Sequence, residues 1–485
     1  SMRILHTSDW HLGRTFHGRV LDDAQAAFAD HLVELVRSEA VDAVVVSGDV
    51  YDRAIPPTDS VRLLDETLRR LSDLTRVVLT PGNHDSAQRL GFGAGLLREG
   101  LTIRARIAEV DRPIIIPGPG GAAGLYVYAL PYLDPDAARE SLPPLLAERL
   151  GESGGAPAQE PDDARPVESE KVRDPGDAPG SEPPATPQPP SRLPRSHEAV
   201  VSGALRLVAA DLTARRAAAT TRVPALVMSH AFVVGGLPTA ESERDIRVGG
   251  VDSVPAGVYT GLGGSPLAER SGGLDYVALG HLHRPQEIRA GSANSANSAN
   301  SANSANSANS ADSADSADSA GSADKADAPG PRLVYSGSPL PFSFPEAGSP
   351  KSTVLLDIGA DGVTRLERVP APLPYRATTL TGALAEVLAR APAHREDWVR
   401  VVLTGAMEPD AMARLKVELP NLLAFSHTPS PRAEGGRAPV TRGSDPLEIA
   451  DRFLAEMLGR PARPDERAVM TAAYDAARAG AQGMS

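Results

Sequence analysis

The sequence predicts an α/β fold, in which helices cover a parallel or mixed β-sheet. Two observations support this prediction. From Met2 onward, short β-branched runs alternate with helical patterns in the order strand, helix, strand, helix, strand. In addition, the run Val41–Ser47 is apolar almost throughout, which is typical of a strand that is buried on both faces of its sheet.

The elements of this first unit can be placed in chain order. A helix is predicted over Asp22–Ala40 because Phe28, Leu32 and Val36 recur at helical spacing. The other predicted elements are the strand Arg3–Thr7, the helix Thr58–Leu71, and the strands Arg76–Thr80, Leu125–Ala129, Ala225–Ser229, Asp275–Leu279, Arg332–Ser336 and Thr353–Ile358.

The pattern restarts after about residue 375 and predicts a second, smaller α+β unit. Its elements are the helix Thr381–Arg390, the strand Trp398–Thr404, the helix Glu408–Val417 and the strand Leu422–Ser426. Two further helices are predicted over Pro446–Leu458 and Pro464–Ala479. We therefore predict a main domain over residues 2–374, a small capping domain over 375–428, a linker over 429–443 and a helical pair over 444–485.

Two tracts of biased composition interrupt the main domain. Residues 151–196 are rich in Pro and acidic residues, and residues 292–330 consist largely of Ser-Ala-Asn and Ser-Ala-Asp triplets. Neither tract has enough large apolar side chains to offset the entropy of ordering, so we predict two disordered insertions. The tracts carry eight of the thirteen net negative charges, so the overall charge of −13 does not exclude DNA as a partner.

The composition also excludes several classes of site and of protein. The chain has no Cys, which rules out disulfides, thiolate metal sites and Cys nucleophiles. No apolar run approaches the roughly 20 residues of a membrane span, and no apolar stretch typical of a secretory signal follows the first strand. We therefore expect a cytoplasmic protein.

Five short segments place His, Asp or Asn side chains directly after predicted strands. They are Asp9-Trp10-His11, Gly48-Asp49-Val50-Tyr51-Asp52, Gly82-Asn83-His84-Asp85, Ser229-His230 and Gly280-His281-Leu282-His283. Because the carboxyl ends of such strands converge on one crevice, we expect these groups to meet there. Imidazole mixed with hard oxygen ligands suits Mn²⁺, Fe or Zn²⁺ better than Mg²⁺ or Ca²⁺. So large a set of potential ligands is too many for one ion and suits two ions better.

This set of segments resembles the calcineurin-like metallophosphoesterases. The surrounding sequences SDWHLGRTFHGR, GDVYDRAIPP, TPGNHD, ESERDIRVGG, GHLHRPQ and YSGSPLPFSF are similar to those of one family within them, the SbcD nuclease subunits of bacterial SbcCD complexes. The resemblance covers essentially the whole chain apart from the two biased tracts. It implies a four-layer α/β sandwich with a small α+β capping domain that orients DNA.

The resemblance also implies roles for individual residues. One Mn²⁺ ion would be held by Asp9, His11, Asp49 and His283. The second would be held by Asp49, Asn83, His230 and His281, so that Asp49 is shared. His84 would protonate the leaving 3′-oxygen, and Asp52 would orient His84. Mg²⁺ or another divalent ion remains an alternative to Mn²⁺.

The implied function is that of a Mn²⁺-dependent DNA nuclease in break and hairpin processing, repair, recombination and replication. Such an enzyme degrades double-stranded ends in the 3′ to 5′ direction and cuts single strands and hairpins. Its partners would be DNA and an SbcC-like ATPase bound through the C-terminal helices, in a heterotetramer that contains a homodimer of this chain. The resemblance places it in the cytoplasm, associated with the nucleoid.

Alternatives remain open at this stage. The same dinuclear chemistry would serve a phosphatase or phosphodiesterase for small phosphoesters, and the chain would also suit a mainly structural scaffold that holds the ATPase on DNA ends. The loop Glu241–Gly250 either shapes a substrate groove or is simply solvated. Arg14, Arg19 and Arg53 are candidate phosphate contacts, and His6 and His17 are candidate supports of the site.

Overall fold

A computed structural model of the protein describes residues 1–97, 99–151, 192–238, 253–288, 330–428, 446–458 and 460–482. The Ser-Ala-Asn tract up to residue 329, the loop Glu241–Gly250, the linker over 429–443 and most of the tract over 151–196 lie outside the described residues. None of the described helices is both long enough and apolar enough to cross a membrane.

The main body is built on strands from residues 2–370. They are β1 (Met2–Thr7), β2 (Thr15–Phe16), β3 (Arg19–Val20), β4 (Ala43–Ser47), β5 (Arg76–Thr80), β6 (Leu101–Ile103), β7 (Ile114–Pro117), β8 (Ala123–Ala129), β9 (Ala225–His230), β10 (Phe232–Val233), β11 (Ser253–Val254), β12 (Tyr276–Gly280), β13 (Gln286–Ile288), β14 (Arg332–Tyr335), β15 (Ser352–Gly359) and β16 (Gly362–Pro370). A separate small sheet contains β17 (Ala377–Gly382), β18 (Trp398–Thr404) and β19 (Leu422–Thr428).

The α-helices lie between these strands and beyond them. They are α1 (Asp22–Ser38), α2 (Thr58–Ser72), α3 (Ala87–Leu90), α4 (Pro135–Leu150), α5 (His197–Ala218), α6 (Ala256–Thr260), α7 (Ala268–Ser271), α8 (Leu384–Arg390), α9 (Ala411–Glu418), α10 (Pro446–Leu458) and α11 (Pro464–Gln482).

Two six-stranded sheets form the centre of the molecule. The first sheet has the order β16-β15-β1-β4-β5-β6, in which β1, β4, β5 and β6 are parallel. The second sheet has the order β13-β14-β12-β9-β8-β7, in which β14, β12, β9 and β8 are parallel. Helices α1 and α2 cover the outer face of the first sheet, and α4 and α5 cover that of the second. The predicted α/β class is confirmed, with four layers.

Strand β4 shows why the run Val41–Ser47 is almost continuously apolar. Val44 and Val46 point toward the helices, whereas Ala43 and Val45 point into the core between the two sheets. All four side chains are fully buried. Because alternate residues of a strand face opposite sides, a strand between two cores needs apolar residues at every position.

Several elements differ from the sequence-based prediction. Helices α4 and α5 and strand β17 had no predicted counterpart, and the helix predicted from Thr381 begins only at Leu384 because β17 continues to Gly382. Helix α4 contains Pro143 and Pro144, which mask its helical pattern. Helix α5 buries apolar residues on several sides, which obscures the one-sided periodicity of a surface helix.

The small sheet packs against the main body through aromatic side chains. Trp398 of β18 stacks on Tyr375 with a centroid separation of 4.1 Å and lies 5.3 Å from the ring of Phe16. Arg19 of the β2–β3 hairpin donates a 3.0 Å hydrogen bond to the side chain of Asn421, which precedes β19. The hairpin that follows Asp9 and His11 therefore also supports the small sheet.

Candidate metal centre

The polar segments that follow the strands meet where the two six-stranded sheets end. Strands β1, β4 and β5 of the first sheet lead into Asp9, His11, Asp49 and Asn83. Strand β9 of the second sheet ends at His230, and β12 leads into His281 and His283. All seven residues predicted as metal ligands lie in this one region, namely Asp9, His11, Asp49, Asn83, His230, His281 and His283.

One group of side chains surrounds His11. Its Nε2 atom lies 3.0 Å from Nε2 of His283 and 3.6 Å from a carboxylate oxygen of Asp49. One oxygen or nitrogen atom from each of Asp9, His11 and His283 lies within 4.8 Å of the other two, so these three side chains could hold a single ion. All of these side chains are buried.

A second group surrounds the amide oxygen of Asn83. This oxygen lies 2.9 Å from Nε2 of His230 and 3.2 Å from Nδ1 of His281. The same carboxylate oxygen of Asp49 that faces His11 lies 3.3 Å from Nε2 of His230. Asp49 therefore lies between the two groups.

The backbone of this region adopts conformations that non-glycine residues seldom take. Asp9, His11, Asp49 and His281 have φ angles of 54°, 44°, 50° and 105°. Such strain is generally maintained at functional sites by the surrounding structure. The glycines before two of the ligands allow the close packing, since a Cβ atom at Gly82 would collide with the Asp49 carboxylate and one at Gly280 with the carbonyl of Ser47.

The electrostatics of the region are dominated by burial and by two carboxylates. Burial raises the pKa of Asp9 and lowers that of His11. Burial also opposes charge on His230, but attraction to Asp49 and Asp9 outweighs it and raises the pKa of His230 to about 9. Attraction to His230 and His11 likewise outweighs burial at Asp49 and holds the pKa of that carboxyl well below its usual range. Two buried carboxylates among imidazoles and an amide oxygen form a donor set that fits divalent cations.

His84 lies beside this centre and contacts Asp52 through the main chain of that residue. The backbone N–H of His84 donates to Asp49 at 2.9 Å, and its ring Nδ1 donates to the main-chain carbonyl of Asp52 at 2.8 Å. The Asp52 carboxylate instead lies 3.7 Å from both His11 Nδ1 and the Arg14 guanidinium. The His84 ring is therefore bonded to the main chain of Asp52, and the Asp52 side chain contacts other groups.

Asp85 is a supporting residue that the motif contained but the sequence did not distinguish. Its carboxylate accepts hydrogen bonds from the backbone N–H groups of Val50, Tyr51 and Gly82 at 2.8–3.0 Å. Burial, together with repulsion from Asp49, raises the pKa of Asp85 to about 6. This side chain fastens the loop after β4 to the loop after β5. Glu346 and Lys351, behind His283, were also missed.

The other candidates from the sequence have different surroundings. Arg14 lies over the ring of Phe342 at 5.0 Å, and Arg53 lies 3.7 Å from the Asp52 carboxylate, whereas Arg19 contacts Asn421 in the small unit. His6 is buried between the sheets beside Tyr276, and burial lowers its pKa to about 3. His17 packs on Phe16 and Phe344.

Comparison with known proteins identifies the family. Residues 2–126 match the model of the calcineurin-like phosphoesterases, a span that includes Asp9, His11, Asp49 and Asn83. The chain is 31% identical over 401 residues to the SbcD subunit of the nuclease SbcCD of Rhodobacter capsulatus, and the match covers 80% of this chain and 75% of that protein. The chain belongs to the SbcD family. The resemblance inferred from the motifs is therefore confirmed, and the fold of this family implies the use of divalent metal ions.

Two further comparisons are less extensive. The SbcD subunit of the nuclease SbcCD of Bacillus subtilis is 31% identical over 358 residues, which cover 73% of this chain and 66% of that protein. A crystal structure of the Thermus thermophilus protein TT1561 aligns with a TM-score of 0.32 at 12% identity, covering 76% of this chain and 98% of the other. A TM-score this low does not establish a common fold over that length.

Proposed function

We propose that this SbcD-family chain is a metal-dependent DNA nuclease that acts with an SbcC-like ATPase. The observation that supports the proposal best is the position of Asp49 between two groups of ligands, with His84 next to it. Family membership supports a nuclease in preference to a phosphatase for small phosphoesters or an inactive scaffold.

Asp9, His11, Asp49 and His283 would hold one ion, and Asp49, Asn83, His230 and His281 would hold the other. We propose Mn²⁺ at both positions because the ligands combine imidazoles with hard oxygens. When bound, such a pair supplies Lewis-acid activation of water and neutralises charge on the phosphodiester. A shared carboxylate reduces the repulsion between two neighbouring cations.

His84 is proposed to donate a proton to the leaving 3′-oxygen. Because its Nδ1 atom donates to the carbonyl of Asp52, its Nε2 atom is left to hold and deliver a proton. That atom lies 4.0 Å from the Asp49 carboxylate, at the edge of the metal centre. The carbonyl of Asp52 thus selects the ring orientation that this role requires.

The substrates proposed for this site are double-stranded ends, cut in the 3′ to 5′ direction, and single-stranded or hairpin DNA. The main domain over 2–374 would carry the chemistry, and the small unit over 375–428 would restrict and orient DNA. The C-terminal helices would bind the ATPase, in a heterotetramer with two copies of this chain. This assembly would act in repair, recombination and replication, in the cytoplasm at the nucleoid.

A substrate comparison tests the proposed function. The purified chain with Mn²⁺ is assayed on a DNA hairpin, on linear duplex DNA and on a small nucleotide diester. We expect cleavage of both DNA substrates and little turnover of the diester. Preferential turnover of the diester would favour the small-molecule alternative, and turnover of none of the three, despite bound Mn²⁺, would favour the scaffold.

A further inference from the structure

A buried ion pair lies behind the metal centre, in the segment between β14 and β15. The side chains of Glu346 and Lys351 contact each other, and each is only 1% exposed. Removing two charges from water is costly, so a buried pair is weak evidence for stabilisation of the fold. What the two groups contact besides each other is therefore informative.

Both groups reach the same histidine. A carboxylate oxygen of Glu346 accepts a 3.1 Å hydrogen bond from Nδ1 of His283. The ammonium group of Lys351 donates to the main-chain carbonyl of His283 at 3.2 Å and to the Ser338 hydroxyl at 2.8 Å. The pair therefore holds His283 by its ring and by its backbone.

The other histidines of the described site are held differently. Nδ1 of His230 donates to the carbonyl of Ser47 at 2.9 Å, and that of His84 to the carbonyl of Asp52. Among the residues that the structure describes, none lies within hydrogen-bond distance of Nδ1 of His11. Among the described histidines of the site, only His283 has its Nδ1 atom within hydrogen-bond distance of a carboxylate.

We propose that Glu346 is a positioning residue for His283 in metal binding, with Lys351 as its fixed counter-charge. The inference rests on the proposed function, since it requires that His283 is a ligand. The hydrogen bond to Glu346 places the ring proton on Nδ1, so that the lone pair of Nε2, the atom that faces His11, would be the one to bind a cation. Lys351 keeps the carboxylate directed at the ring, away from the ions.

Two double variants isolate the hydrogen bond from the ion pair. Glu346→Gln with Lys351→Met keeps an oxygen acceptor for His283, whereas Glu346→Ala with Lys351→Met removes it. Both variants lack the buried charges, so neither leaves an unpaired lysine in the core. Glu367→Ala is the surface control, because Glu367 is half-exposed and contacts Arg365.

Mn²⁺ binding to the full-length chain is measured by isothermal titration calorimetry, and thermal unfolding of the metal-free proteins checks the fold. We expect two ions in the wild type, in the Gln variant and in the control. In the Ala variant, the affinity for one ion should fall by about 10- to 100-fold while the other is retained. Equal affinities in the two double variants would overturn the inference alone, whereas a wild-type chain without Mn²⁺ binding would overturn the proposed function as well.

Discussion

The two central sheets contribute different chemistry to the same site. The first sheet supplies both carboxylates, the amide oxygen and one imidazole, from Asp9, Asp49, Asn83 and His11. The second sheet supplies three imidazoles, from His230, His281 and His283. The negative charge therefore comes from one sheet, and most of the imidazole nitrogens come from the other.

This difference shows that neither sheet contains a complete site. The proposed ligands of the first sheet come from residues 9–83, and those of the second from residues 230–283. They meet because the apolar core between the sheets brings the ends of β4 and β9 together. Metal binding should therefore depend on the contact between the sheets, and it should stabilise that contact in return.

The largest expected effect comes from Asp49→Ala, because Asp49 faces ligands from both sheets. At several kcal/mol of transition-state stabilisation per ion, loss of both ions should lower DNA cleavage by more than about 10⁴-fold. The loss is measured as the rate of cleavage of a labelled DNA hairpin in the presence of Mn²⁺. Asp59→Ala is the matched control, since Asp59 is exposed on α2 and pairs only with nearby Arg62 among the described contacts. Cleavage by Asp49→Ala at the control rate would refute the proposed role of the shared carboxylate.

A smaller effect is expected from His84→Gln, which changes the first sheet but leaves all seven proposed ligands intact. Loss of a general acid should reduce cleavage by about 10²-fold or more, while both Mn²⁺ ions remain bound. Single-turnover cleavage together with calorimetric titration separates these two effects. Loss of an ion in this variant would instead make His84 part of the metal centre.

Metal removal tests the coupling between the sheets. If Mn²⁺ binds only the folded chain, saturation at about 100 times Kd should add about 2.7 kcal/mol to the free energy of unfolding. Differential scanning calorimetry with Mn²⁺ or with a chelator should show the higher Tm in Mn²⁺. The same shift in Asp49→Ala would show that the ions stabilise the protein elsewhere.

The smallest effect on catalysis is expected from deletion of residues 444–485, whose described part consists of α10, α11 and the short connection between them. Hairpin cleavage by the isolated chain should be unchanged, because the metal ligands and His84 remain. Co-purification with an SbcC-like ATPase should be lost. Undiminished co-purification would remove the proposed docking role of α10 and α11.

Local sequence was sufficient to predict much of the first sheet and the polar side chains that gather at the strand ends. Strands β1, β4 and β5 and helices α1 and α2 were predicted to within a few residues, because their apolar patterns reflect burial on one or two faces. The segments with Asp9, Asp49 and His283 were recognisable because each combines a strand end with a polar group. Helices α4 and α5 were missed because internal prolines and burial on several sides conceal the helical period.

The sequence by itself determined the α/β class, the family and which side chains gather at the strand ends. Only the tertiary structure decided how they are held. It showed that the carbonyl of Asp52 accepts a hydrogen bond from the His84 ring, that Asp85 connects two loops, and that Glu346 and Lys351 both bond to His283. These contacts join residues 32 to 68 positions apart. Two of them connect the loops after the neighbouring strands β4 and β5, and the others connect His283 to the segment between β14 and β15, so none of them leaves a local pattern in the chain.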